Sequence, residues 1–107
     1  MTDQLAQISR EQHAEQVILR LRGEIDLSNA EELQARIERM VADAREVVVD
    51  LSDVLFIDSR GLRLLHRLGT MLAENGATLE LVAPVDSVAR DVLEITRMSD
   101  EIPIRDE

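Results

Sequence analysis

Cysteine is absent from the 107 residues, so neither a disulfide nor a thiolate nucleophile is available. Lysine is absent too, because all twelve basic residues are arginine, and this removes Schiff-base chemistry on an amine. Phe56 is the sole aromatic side chain, too little to build a site that stacks bases or sugars on rings. The four glycines are scattered at Gly23, Gly61, Gly69 and Gly76, without the spacing of a phosphate-cradling loop. No apolar run approaches the roughly 20 residues of a membrane span. The opening MTDQLAQISR lacks the charged segment and apolar core of a signal peptide, so the expected location is cytoplasmic.

Negative charge, by contrast, is plentiful. Twenty-two acidic residues against twelve basic ones give a formal charge of −10. Nucleic acid is an unsuitable partner, since binding it needs clustered Lys and Arg, and an anionic membrane surface is unsuitable for the same reason. A partner with a basic face would be attracted and steered. The length corresponds to a single domain, residues 1–107, with one two-layer core.

Along the chain, Leu5–Arg10 reads as a short strand, Glu11–Gln16 as a turn and Val17–Arg22 as a second strand with alternating apolar residues. Gly23–Leu27 follows as a loop. Ser28 stands three residues before Glu31, the spacing of a capping box. An amphipathic helix over 29–42 should then bury Ala30, Leu33, Ile37, Met40 and Val41. Val47-Val48-Val49 opens a strand of the kind buried on both faces, and an acidic loop leads from it to Asp58-Ser59-Arg60-Gly61. From there Leu62, Leu64, Leu65, Leu68, Met71 and Leu72 trace a deeply packed helix ended by Asn75-Gly76. Its remaining strip carries Arg63, His66, Arg67 and Thr70, with Ser59 on the same strip one turn from Arg63. Thr78–Val82 is a further strand. Val85–Thr96 is a helix with Val85, Val88, Ala89, Val92 and Ile95 inward. Ile102-Pro103-Ile104 fits a short edge strand. Strands alternating with helices give an α/β domain with a mixed, mostly parallel sheet of four to five strands, helices mainly on one face. The loops leaving the carboxyl ends of its strands, 23–28 and 52–59, should form one surface.

On that surface Ser59 is the hydroxyl to consider. It would cap the helix, and it would equally serve as a phosphate acceptor, since an anion there sits at the positive end of the helix dipole beside N–H groups. Arg60 and Arg63 would add charge-assisted contacts. Phosphorylation brings about −1.5 to −2 charge without unfolding its host. Asp26 and Asp58 form a carboxylate pair for which capping and surface roles come first, partner contact second and acid–base chemistry or a metal last. The two imidazoles, His13 and His66, lie far apart and have no cysteine or helically spaced partner, so no metal site is expected. No Ser-His-Asp set can be placed.

Phe56-Ile57-Asp58-Ser59-Arg60-Gly61-Leu62 resembles the D-S-x-G-L signature of STAS domains, above all the SpoIIAA-like anti-sigma-factor antagonists of bacteria. Gly23-Glu24-Ile25-Asp26-Leu27-Ser28 resembles the same family's G-E-[LI]-D-L-[ST] loop, Val48–Ser52 its central strand and Leu81-Val82-Ala83-Pro84 its last turn before a helix. The resemblance implies a regulator that switches partners, not an enzyme, and no cofactor. Unmodified, such a protein binds an anti-sigma factor that is also an ATP-dependent serine kinase, which frees a sigma factor. Phosphorylation of the serine matching Ser59 reverses this, and a serine phosphatase resets the switch. By the same resemblance Asp58, Gly61 and Leu62 frame the acceptor, and Asp26 and Ser28 belong to the adjoining contact loop; Arg60 and Arg63, beside Ser59, complete the expected partner-binding set. A monomer or weak homodimer is expected. Two positions depart from the pattern. Arg60 replaces a small residue, and Arg97 stands where glycine commonly ends the last helix. The other role open to such a domain is a scaffold or sensor subunit in a signalling or lipid-transport complex.

Overall fold

The computed structural model describes residues 6–107. Strand β1 (Ala6–His13) pairs antiparallel with β2 (Gln16–Ile25), Ile8 opposite Leu21 and His13 opposite Gln16. Leu5, expected to open the first strand, lies outside the described residues. The expected turn over Glu11–Gln16 narrows to Ala14 and Glu15, because Glu11 and His13 find partners on the strand's solvated face. There Glu11 accepts from Arg20 at 2.6 Å and meets His13 at 2.8 Å. Such cross-strand charge pairs favour strand over turn. Hydrogen bonding to Arg20, and then to His13, holds the Glu11 carboxyl below its usual range, while Glu11 raises Arg20 in return.

At the other end, β2 runs on through Gly23 and Glu24 to the buried Ile25, so the expected loop begins only at Asp26. Helix α1 (Ala30–Met40) follows, with Ala30, Leu33 and Ile37 buried. The capping box does not form. Asn29, not Ser28, is the N-cap, and Ser28 turns its hydroxyl to Asp26 instead.

Strand β3 (Glu46–Ile57) is far longer than its valine run, since buried Val54 and Ile57 keep the presumed acidic loop extended. It lies parallel to β2 along its whole length and to β4 (Thr78–Val82) only from Glu46 to Asp50. Between them runs α2 (Ser59–Glu74), which buries Leu64, Leu65, Leu68 and Leu72. Full burial contributes about 1.5–3 kcal/mol per leucine, so this helix is a principal support of the fold. It ends at Asn75, and Gly76 follows with φ +77°, a backbone conformation natural to glycine.

Helix α3 (Val88–Ile95) is shorter than expected because Ser87 caps it, accepting from Arg90 N at 3.1 Å. Its inner face also differs from expectation. Ala89 and Leu93 are buried, whereas Val85, Val88 and Ile95 are 58%, 46% and 81% exposed. Arg97 takes a left-handed conformation (φ +64°) of the kind natural to glycine, so the helix stops there although the residue is an arginine. A 3-10 turn (Met98–Asp100) leads to β5 (Ile104–Arg105), an edge strand parallel to β4. Ile102, expected in that strand, is buried in the core instead.

The sheet order is β1-β2-β3-β4-β5. Its inner row, with Leu19, Val49 and Leu81 at its centre, shares one core with the buried residues of all three helices. The opposite face carries Arg20, Asp50, Glu80 and Arg105 in ion pairs. Among the described residues no helix is long and apolar enough to cross a membrane.

Candidate functional site

Because β2 and β3 are parallel neighbours, their carboxyl ends emerge side by side, and the junction is closed by Asp58. Its N–H donates to Ile25 O at 3.1 Å, extending the ladder by one bond. Its side chain then serves two segments. Oδ1 accepts from Arg60 N at 2.9 Å and Gly61 N at 3.2 Å, while Oδ2 accepts from Leu27 N at 3.1 Å. Asp58 is therefore the cap of α2, in place of the Ser59 cap considered above, and the same carboxylate fastens the β2–α1 loop. A charged acceptor at a helix N-terminus is favoured both by the free N–H groups and by the dipole.

Ser59 is the first residue of the helix and is exposed. Arg60 and Arg63 are exposed beside it, and among the described residues neither guanidinium has a carboxylate within ion-pair distance. Gly61 is buried. A Cβ on it would stand 2.6 Å from Ile57 Cγ1 and 2.9 Å from Ile25 Cγ2, so what it supplies beneath the acceptor is close packing. Leu62 is half-buried against the core.

The loop over 26–29 is held by its own polar groups. Ser28 Oγ and Ser28 N both donate to Asp26 Oδ1, at 2.6 and 2.9 Å, and Asp26 N donates to Asn29 Oδ1 at 3.0 Å. With Asp58 bound to Leu27, the structure brings Asp26, Ser28, Asp58 and Ser59 onto one end of the molecule. Both carboxylates of the Asp26–Asp58 pair act as turn and cap acceptors there.

Two contributors escaped the sequence. Met98 and Glu101 reach the start of α2 from the segment after α3, and with Ser59, Arg60, Leu62, Arg63 and His66 they line a shallow open hollow of about 410 Å³. His66 Nδ1 lies 2.9 Å from Glu101 Oε1. No local signal could have found a contact spanning 35 residues. Leu27 and Phe56 are the other surprise, 66% and 47% exposed at this same end of the sheet.

Against known proteins, a model of the STAS domain matches residues 7–107. The chain belongs to the STAS domain family. Among solved structures, an anti-sigma factor antagonist from Mycobacterium paratuberculosis aligns with a TM-score of 0.83 at 27% identity, over 95% of this chain and 86% of its own. SpoIIAA, an anti-sigma factor antagonist, aligns in its unphosphorylated form with a TM-score of 0.75 at 22% identity, over 94% of this chain and 90% of its own. The phosphorylated form of SpoIIAA, a Bacillus cell fate determinant, aligns at 0.68 and 21% identity, over 94% and 93%. At those identities the two SpoIIAA structures speak to the fold alone. This STAS domain thus has the five-stranded mixed sheet and one-sided helices expected from its sequence, and the structural neighbours named above are anti-sigma factor antagonists.

Proposed function

We propose that this STAS domain is an anti-sigma-factor antagonist whose docking is controlled by phosphorylation of Ser59. The observation that carries the reading is the exposed Ser59 hydroxyl at the first turn of α2, where Asp58 ties the strand-to-helix junction to the 26–29 loop. Unmodified, this end of the sheet binds an anti-sigma factor with serine kinase activity, and a sigma factor is released. In the kinase the Ser59 oxygen bonds to the γ-phosphorus of ATP as the bond to ADP breaks, and the hydroxyl proton leaves to a base of the kinase. The added charge then opposes the complex, because like or unpaired charges at an interface cost several kcal/mol. A serine phosphatase restores the hydroxyl. Asp26, Ser28, Arg60, Leu62 and Arg63 are the partner-facing residues in this reading, and Asp58 holds them in register.

The test is incubation with its cognate anti-sigma kinase and ATP, followed by mapping of phosphate by mass spectrometry. Phosphate is expected on Ser59. In a pull-down series, Ser59→Ala should bind the anti-sigma factor within about threefold of the native chain, and Ser59→Asp should bind at least about tenfold more weakly, a loss near 1.4 kcal/mol. Equal affinities for the two variants would refute the switch.

A further inference from the structure

We propose that a phosphoryl group on Ser59 is received by the guanidinium groups of Arg63 and Arg60, not by the backbone at the start of α2. The proposal rests on the reading of Ser59 as the acceptor, and it adds what holds the modification. Most of the backbone donors that a helix start ordinarily offers are already taken, which leaves only the N–H of Ser59 itself. Arg60 N and Gly61 N donate to Asp58 Oδ1, and Leu62 N donates to Asp58 O at 3.0 Å. The Asp58 carboxylate also stands one residue from the new dianion and repels it. The larger part of any gain for the phosphate therefore falls to side chains.

The side chains are in place. Residues four apart on a helix share a face, with Cβ atoms about 5–6 Å apart, so Arg63 lies directly over Ser59. Arg60, Arg63 and Ser59 line one hollow, and the hollow's other titratable pair, His66 and Glu101, is engaged with itself at 2.9 Å. Neither Arg60 nor Arg63 has a carboxylate partner among the described residues. A guanidinium presents a planar fork that matches two phosphate oxygens. The long side chain at position 60 thereby acquires a use. Since both arginines face outward before modification, phosphorylation also withdraws two positive charges from the docking surface.

The experiment installs phosphoserine at position 59 genetically, so that no kinase is required, and follows the phosphate by ³¹P NMR through a pH titration. Arg63→Gln should raise the titration midpoint by about 0.5 unit or more, since a nearby cation favours the dianion. Arg60→Gln should raise it by less, and the double variant by more than either. Arg67→Gln, one turn further along, should leave the midpoint within about 0.1 unit. An unchanged midpoint in the Arg60→Gln, Arg63→Gln double variant would overturn the proposal. That failure would leave the kinase assay unaffected, and an unmodified Ser59 in the kinase assay would leave this titration readable.

Discussion

A single carboxylate, Asp58, accepts three backbone N–H groups, two from its own helix and one from a loop 31 residues away. The D-S order of the signature puts two favoured capping residues in succession, and the sequence alone does not say which one caps. The backbone decides. Asp58 is extended (φ −106°, ψ −170°) while Ser59 is already helical, so the aspartate caps and the serine is left for the solvent. Gly61, two residues on, is as informative. Its Cα sits against Ile57 and Ile25, and a methyl group there would overlap both. Gly61→Ala gains about 1 kcal/mol of helix propensity. Overpacking costs about 1–3 kcal/mol, so a net destabilisation of up to about 2 kcal/mol is expected, read as a lower urea midpoint with an unchanged slope.

At the scale of elements, the legible parts were those where one pattern had one solution. The five residues of β4 match its expected bounds, and the leucines of α2 left only one face to bury. Helix α3 misled because its apolar arc is too wide. At 100° per residue, Ile95, Val88, Val92, Ala89 and Leu93 span roughly 160°, and periodicity cannot say which part of such an arc meets the sheet. The β-branched residues Val88 and Ile95 turned outward, and Ala89 and Leu93 inward. The extent of β3 was hidden for a related reason: its buried residues past Leu51, Val54 and Ile57, are three apart, across an irregular register with β2, and do not alternate. Chemical denaturation tests the orientation of α3. Leu93→Ala should cost about 2–5 kcal/mol, whereas Ile95→Lys should stay within about 0.5 kcal/mol of the native chain. The reverse order would restore the face read from the sequence.

For the whole molecule the governing quantity is the charge of −10. Self-repulsion of that kind weakens the compact state, and added salt screens it. The ion pairs that salt also screens, such as Arg20–Glu11 and Arg97–Asp100, are exposed, and pairs of this type are worth about 0–1 kcal/mol. Relief of repulsion should win. The thermal midpoint is expected to rise between about 0.02 and 0.5 M NaCl, over which the Debye length falls from roughly 20 to 4 Å. A flat or falling midpoint would show that the local pairs outweigh the overall imbalance.

The unequal lengths of β3 and β4 also bear on how the molecule fails. Past Asp50, β3 has no strand on its β4 side, and α3, the next element of the chain, packs on β3. An open strand border is the usual template for fibrous self-association. The short last helix thus acts as a guard rail, and a lesion that melts it would uncover that border beside the already exposed Leu55 and Phe56, leading to clumping before global unfolding.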